Sequence, residues 1–335
     1  MRFSVRFNND LPVDETVALA VAAERAGFDQ FWLSDDLFQR SATVMLAAMA
    51  RETERIRIGS GIFNPYTLHP AQMAMEAATL DELSDGRFCL GLASGAGEFL
   101  KWIGIEQKKP LTAVVETIEV LRRLFAGEEV ELDGHFLQWT EAARLRFTPL
   151  RRKIPLYLGA MSPRMLQTIG SHADGGLPLL FPPEHLSWVR PRIQRGADLA
   201  GRDMADIDVA ACIWCSVSED SLAAENALRA KIAFYGHALS PTILGRLGLT
   251  RSDFDDIEQA VVVENDLSRG SALVSADMLR IGVVGTPRQL IHRLEDLVNL
   301  GARHLSFGPP LGPEPLKAIE LIGNEVLPWF GGGSQ

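Results

Sequence analysis

A (β/α)8 TIM barrel with a helical insertion between its seventh and eighth strands is the fold class predicted by this α/β sequence. Three observations predict it. Short β-branched runs alternate with amphipathic stretches along almost the whole chain. Eight such runs are present, and a barrel of that kind takes about 250 residues, which leaves part of the 335 for an insertion. Three of the runs end in loops rich in small residues, where barrels carry their sites. Alternation alone does not separate this fold from a doubly wound sheet with an added domain.

The candidate strands are 2–7, 30–34, 56–61, 88–92, 154–159, 174–180, 208–217 and 303–308. The opening residues, Met1 to Phe7, are too short and too charged for a leader peptide and read as the first strand. The first helix is signalled by Asp10 near its start, Pro12, acidic Asp14 and Glu15 in the opening turn, and Gly27 at its end. Residues 218–285 form the insertion, with helical segments Ala223–Tyr235, Thr242–Leu247 and Asp255–Val263. The next helix has Thr286 as N-cap, Pro287 at its first position and a stripe of Leu290, Leu294, Leu297 and Val298 before Gly301. One domain over 1–330 is expected, followed by a disordered tail, 331–335.

Composition narrows the function. The 47% hydrophobic content fills a core, and 23% charged residues suit a surface in water. A formal charge of −10 argues against a nucleic-acid partner, which needs a basic face. No apolar run approaches the roughly 20 residues that span a bilayer, so no membrane partner is expected. Three cysteines cannot all pair, which suits a reducing cytoplasm. Cys212 and Cys215 have redox spacing but lie in a strand-like run, where residues three apart face opposite sides; a structural role is the better reading.

The stretch from Gly59 to Pro70 holds the most information. Gly59 and Gly61 let the backbone take unusual dihedrals and a flat ligand approach closely. Pro65 holds Asn64 extended, and Pro70 restarts a helix. After the fourth run, Ala93-Ser94-Gly95-Ala96-Gly97-Glu98 exposes backbone N–H groups suited to an anionic tail. After the fifth, Ala160-Met161-Ser162-Pro163-Arg164 opens a helix whose free N–H groups suit a phosphate, although a lone Ser-Pro start is ordinarily structural. Past the second run stand two adjacent carboxylates, Asp35 and Asp36, for which a solvated helix cap is the plain alternative. On the first strand Arg6 points with Ser4, placed to bind an acidic substrate or pair with Asp35 or Asp36. His69 precedes Pro70 and reads as a surface or hydrogen-bonding residue. No dinucleotide fingerprint, P-loop, catalytic triad or metal-ligand constellation is read here.

The motifs together carry a resemblance. Gly61-Ile62-Phe63-Asn64-Pro65-Tyr66 resembles the Gly-Val-Thr-Asn-Pro-Tyr stretch of methylenetetrahydromethanopterin reductases, within the luciferase-like superfamily of flavin and deazaflavin oxidoreductases. Ala26-Gly27-Phe28-Asp29 with Trp32 to Asp35, Leu83 to Arg87, Leu158-Gly159-Ala160 with Ser162-Pro163, and Ala173-Asp174-Gly175 match in order and spacing. So do Val284 to Pro287 and Phe307-Gly308 with Leu311-Gly312-Pro313, and the similarity runs from Phe3 to about Pro328.

The resemblance implies a non-proline cis peptide between Gly61 and Ile62, bulging behind the ring of coenzyme F420 or, alternatively, FMN. It implies that Gly61, Ile62, Asn64, Ser94, Gly95, Ala96, Ala160, Met161, Ser162 and Pro163 bind the cofactor; the candidate catalytic residues are Asp35, Asp36 and Arg6. The implied reaction is hydride transfer between F420 and a C1-carrying tetrahydropterin-like substrate. The competing readings are an FMN-dependent monooxygenase supplied by a partner flavin reductase, and a flavin- or pterin-binding barrel without turnover. Relatives are commonly homodimers or homotetramers. Three departures stand out: Asp36 where the family has histidine, Ala96 where it has an acid, and Arg6 where the methanopterin reductases have glutamate.

Overall fold

The computed structural model describes residues 1–331. Its strands in chain order are β1 (Arg2–Phe7), β2 (Gln30–Leu33), β3 (Arg57–Ser60), β4 (Phe88–Leu92), β5 (Val130–Asp133) and β6 (Gln138–Ala143). There follow β7 (Leu156–Leu158), β8 (Gly175–Gly176), β9 (Asp208–Val217), β10 (Val283–Gly285) and β11 (His304–Leu311). Eight of them, β1, β2, β3, β4, β7, β8, β9 and β11, close into a parallel barrel with helices outside it. Closure comes from β8 on β9, β9 on β11 and β11 on β1.

The sequence pattern explains the elements. In β1, Phe3, Val5 and Phe7 pack into the large core against the helices, while Ser4 and Arg6 take the other face. Inside the barrel Trp32, Cys89, Tyr157, Ala210 and Cys212 cluster, with Trp32 and Tyr157 edge to face at 4.8 Å. Two glycines make that room: a Cβ at Gly59 would lie 2.4 Å from the Trp32 ring, and one at Gly175 would lie 2.2 Å from the Tyr157 ring. Cys215, three residues past Cys212, joins the outer core, as period-two alternation requires.

A polar plug closes the lower end. Tyr157 Oη donates to Asp208 at 2.6 Å, His304 Nδ1 sits 3.1 Å from both Asp208 oxygens, and Arg2 pairs with the same carboxylate. His304 Nε2 then meets Ser4 Oγ at 2.8 Å, and Ser4 meets Ser306 at 2.8 Å. Buried polar groups satisfied in this way rigidify the barrel floor.

Several expected boundaries are corrected. The strands expected at 154–159 and 174–180 shorten to β7 and β8. Past Leu158 only single contacts continue the ladder, such as Leu177 N to Leu158 O at 3.0 Å and a bridge from Leu179 to Cys212. The last strand extends beyond 308 to Leu311, with its register shifted because Pro309 and Pro310 have no N–H to pair. The antiparallel hairpin β5–β6 and the short β10, parallel to the end of β9, were not expected.

Helix starts follow their caps. Ser41, Ser162 and Ser240 accept from backbone N–H groups of the helices Ala42–Glu52, Pro163–His172 and Pro241–Arg246. Thr286 and Gln289 form a reciprocal box at Pro287–Asn299. The first helix, Val13–Arg25, starts after Pro12 without a side-chain cap, so Asp10 does not cap it. Between β9 and β10 lie helices Ser221–Tyr235, Pro241–Arg246, Asp255–Glu258, Leu267–Leu273 and Ala276–Leu279, and the third continues as a π turn over Gln259–Val263. Leu228, Ile232, Phe254 and Ile257 of this stretch pack with Trp214 and Phe181 of the barrel. Gly331, expected in the tail, ends the helix Leu327–Gly331; residues 332–335 lie outside the described residues.

Candidate active site

A cavity of about 720 Å³ opens at the carboxyl ends of the strands. β1 contributes Arg6 and Phe7, β2 contributes Trp32, and the loops after β2 and β3 contribute Asp36 and Gly61. The loops after β7 and β8 add Met161, Ser162, Pro163 and Phe181, and β9 adds Trp214. Lys231, Tyr235, Leu239 and Ile243 come from the helical stretch after β9.

The bulge after β3 has the expected form: the peptide between Gly61 and Ile62 is cis. It is anchored on both sides, by Gly61 N donating to Leu33 O at 2.6 Å and Phe63 N donating to Gly91 O at 2.9 Å. Gly61 lines the cavity, while Ile62 packs into the barrel interior beside Trp32 and Tyr157. Asn64 is buried and turned to its own loop: Oδ1 accepts from Tyr66 N and Thr67 N at 3.1 Å, and Nδ2 donates to Thr67 Oγ1 at 2.7 Å. Its amide holds the bulge rather than facing the cavity.

Ser94, Gly95 and Ala96 are also absent from the cavity wall. Gln107 Nε2 donates to the carbonyls of Ser94 and Gly95 at 2.7 and 2.9 Å, and Ala96 starts the short helix Gly97–Trp102, from which Phe99 reaches the cavity. Ala160 is buried behind the wall. Met161 is 45% exposed and, with Ser162 and Pro163, lines it, so the start of Pro163–His172 faces the cavity.

The adjacent carboxylates separate. Asp36 lines the cavity and accepts from Ser34 Oγ at 2.8 Å, while its backbone is held by Asn9. Asp35 is not in the wall; it meets the backbone N–H of Ala42 at the next helix. Burial pushes the Asp35 carboxyl up, helped by the charges of Asp36 and Glu76 and opposed by that N–H. Arg6 pairs with neither aspartate: Nη2 donates to the carbonyl of Ile213 at 2.8 Å. His69 caps Pro70–Leu83 by accepting from Ala71 N at 3.2 Å.

These contacts place a cis bulge, a helix start and an aromatic wall around one cavity at the barrel mouth. A family model described as luciferase-like monooxygenase matches residues 1–304. The chain belongs to the luciferase-like monooxygenase family. Among curated relatives, 5,10-methylenetetrahydromethanopterin reductase of Archaeoglobus fulgidus is 33% identical over 98% of this chain and 99% of its own length. The enzyme of that name from Methanolobus tindarius is 32% identical over 98% of this chain and 100% of its own. The solved coenzyme F420 dependent tetrahydromethanopterin reductase of Methanopyrus kandleri superposes with a TM-score of 0.94 at 31% identity, covering 98% of this chain and 99% of that one.

Sequence reasoning missed several residues of this family member's cavity. Trp214 and Phe181 meet at a 42° tilt with centroids 4.3 Å apart, and His185 stacks on Trp188 at 4.8 Å, with Arg192 3.5 Å over the Trp188 ring. Trp32 Nε1 and His185 Nδ1 are buried without a partner among the described residues. Lys231 stands 4.0 Å over the Tyr235 ring, and burial lowers its ammonium to about 8, opposed by Asp10 and Asp36 and aided by Arg6. The only local signal for it is a lysine four residues before a tyrosine on one helix face, and Arg229 two positions earlier shares the same stretch. The three cysteines are buried and free, and burial raises each thiol, Cys89 to about 12, which leaves them unreactive.

Proposed function

We propose that this protein transfers a hydride between coenzyme F420 and a C1-carrying tetrahydropterin-like substrate, in the manner of a methylenetetrahydromethanopterin reductase. The observation that carries the reading is the convergence of the Gly61–Ile62 bulge and the Met161–Pro163 helix start on one aromatic cavity. Relatives matching at 32–33% identity over nearly their full length support it.

The residues suit such a ligand. A cavity of about 720 Å³ falls in the range of small-molecule sites. Gly61 presents bare backbone to a flat ring, and the first turn of the helix that Pro163 opens offers backbone N–H groups suited to an anionic tail. Trp32 Nε1 and His185 Nδ1 offer unused polar groups inside the wall. When bound, F420 supplies or accepts the hydride at its deazaflavin ring. The chain's own work is to orient the two reactants in contact and exclude water. Trp214, Phe181, Leu239 and Ile243 provide the dry wall. Asp36, the carboxylate of the wall, favours a cationic acceptor.

The same reading treats residues 1–330 as one barrel domain with 218–285 as the cover of the site. Lys231, Tyr235 and Ile243 in the wall support that. It also makes the protein a cytoplasmic homodimer or homotetramer, and three free buried cysteines suit a reducing compartment. No described helix is long and apolar enough to cross a membrane.

Calorimetric titration with F420 and with FMN tests the cofactor, and anaerobic stopped-flow absorbance with methylenetetrahydromethanopterin tests the chemistry. Tight F420 binding with F420 turnover is expected. FMN preference with oxygen consumption from reduced FMN would refute the proposal. Light scattering tests the oligomer.

A further inference from the structure

We propose that Arg6 and Lys231 form an anion-recognition end of the cavity, and that the hydride partner carries a carboxylate or phosphate on a flat, largely apolar body. The substrate class rests on the hydride-transfer reading; the anion site rests on geometry alone.

The wall holds, among the described residues, two cations, Arg6 and Lys231, and one carboxylate, Asp36. Among the described residues, neither cation has a carboxylate within ion-pair distance; the nearest recorded contacts are a carbonyl and aromatic rings. Arg6 gives one N–H to Ile213 O, and its Nε is buried without a partner. The guanidinium lies over Gly308, where a Cβ would stand 2.2 Å from Nη2, so the sequence leaves room for it. Lys231 stands 5.7 Å from the Trp214 ring, both cations line the same cavity, and the charge of Arg6 acts on Lys231. Asp36 is occupied by Ser34 at 2.8 Å, and Asp10, which also acts on Lys231, is exposed and outside the wall.

Two cations partly removed from water and lacking a bound counter-charge are costly unless a ligand supplies it. An oxyanion accepts from both the guanidinium and the ammonium. Around them stand Trp214, Tyr235, Phe181 and Trp188, surfaces for a planar apolar body rather than a sugar-like one. The ring faces would hold that body while its acidic group meets Arg6 and Lys231.

The probes are benzoate, phenyl phosphate, neutral benzamide and cationic benzamidine, titrated calorimetrically into the full chain at neutral pH. At least about tenfold tighter binding of an anion than of benzamide is expected from charge-assisted hydrogen bonds. Whichever of benzoate and phenyl phosphate binds more tightly identifies the acidic group. Lys231→Met and Arg6→Met should each remove most of that preference while leaving benzamide binding unchanged, and Lys231→Arg should restore it. Should a methionine variant misfold by circular dichroism, protection of Lys231 from acetic anhydride by benzoate, read by mass spectrometry on the unaltered protein, decides the matter.

Equal binding of benzamide and benzoate, preference for benzamidine, or unprotected Lys231 would overturn the anion site. A parallel F420 titration separates the two claims. Benzoate binding without F420 binding sinks the hydride-transfer reading alone, and the reverse sinks the anion site alone.

Discussion

Gly91→Ala is the perturbation that most directly tests how the fold holds the bulge. Gly91 lies on β4, where its N–H donates to Ser60 Oγ at 3.0 Å and its carbonyl accepts from Ser60 Oγ and Phe63 N, each at 2.9 Å. A Cβ there would stand 1.9 Å from the Ser60 carbonyl oxygen, a backbone atom with no freedom to swing away, and 3.4 Å from Ile62 Cγ2. Opening that gap to van der Waals distance forces β3 from β4 just below Gly61–Ile62. Overpacking costs about 1–3 kcal/mol, and weakening these three hydrogen bonds together adds about 2 kcal/mol, about 3–5 kcal/mol in all. A chain of 335 residues has an unfolding entropy near 0.7 kcal/mol/K, at about 2.1 cal/mol/K per residue, so Tm should fall by about 4–7 °C. Gly104→Ala is the control: its φ is +73° and no atom lies within 4 Å of the added Cβ, so only backbone strain of about 1 kcal/mol is expected. Scanning calorimetry measures both variants, and F420 titration should show affinity lost in the first and kept in the second. A Gly91→Ala protein that melts with the control and binds F420 normally would refute the claim that this contact sets the bulge.

Asp36→Asn should tighten benzoate binding several-fold by removing the carboxylate of the wall, while Asp35→Asn, outside the cavity, should leave it unchanged; titration of both variants checks the separation. Benzoate affinity should hold below pH 8 and fall as pH rises through about 8, where Lys231, with a lowered value, loses its proton; Lys231→Arg should flatten that profile. Asp208→Asn should cost about 3–5 kcal/mol near neutral pH, because it breaks a buried charge cluster. Burial would raise this carboxyl, but the hydrogen bond and charge of His304, with Tyr157 and Arg2, hold it well below the usual range. Its stabilisation is therefore present above the unfolded value near 4 and lost as pH falls through the folded one, so the variant's melting deficit should shrink in acid.

Much of the barrel was legible because its signals are local. A strand such as β1 alternates Phe3, Val5 and Phe7 with Ser4 and Arg6, and one period fixes both faces. Thr286-Pro287 and Ser162-Pro163 mark helix starts by satisfying N–H groups within a few residues. The hairpin β5–β6 was not expected because its strands are short: Val130-Glu131-Leu132-Asp133 alternates cleanly, but over only four residues. The loop after β4 has the composition of a ligand cradle, and what fixes its shape lies more than ten residues on, where Gln107 donates to the carbonyls of Ser94 and Gly95.

The sequence by itself determined the order of strands and helices, the turn residues at the mouth and the expectation of a cis Gly61–Ile62 peptide. Tertiary structure decided which side chains meet. Asp35 and Asp36 are neighbours in the chain, yet only Asp36 reaches the cavity. His304 and Asp208 stand 96 positions apart and share a hydrogen bond, and Lys231 reaches the cavity wall that holds Arg6 from the helix Ser221–Tyr235. The physical reason is that periodicity assigns a residue to a face, whereas its partner is set by barrel closure and helix packing, which act through space rather than along the chain.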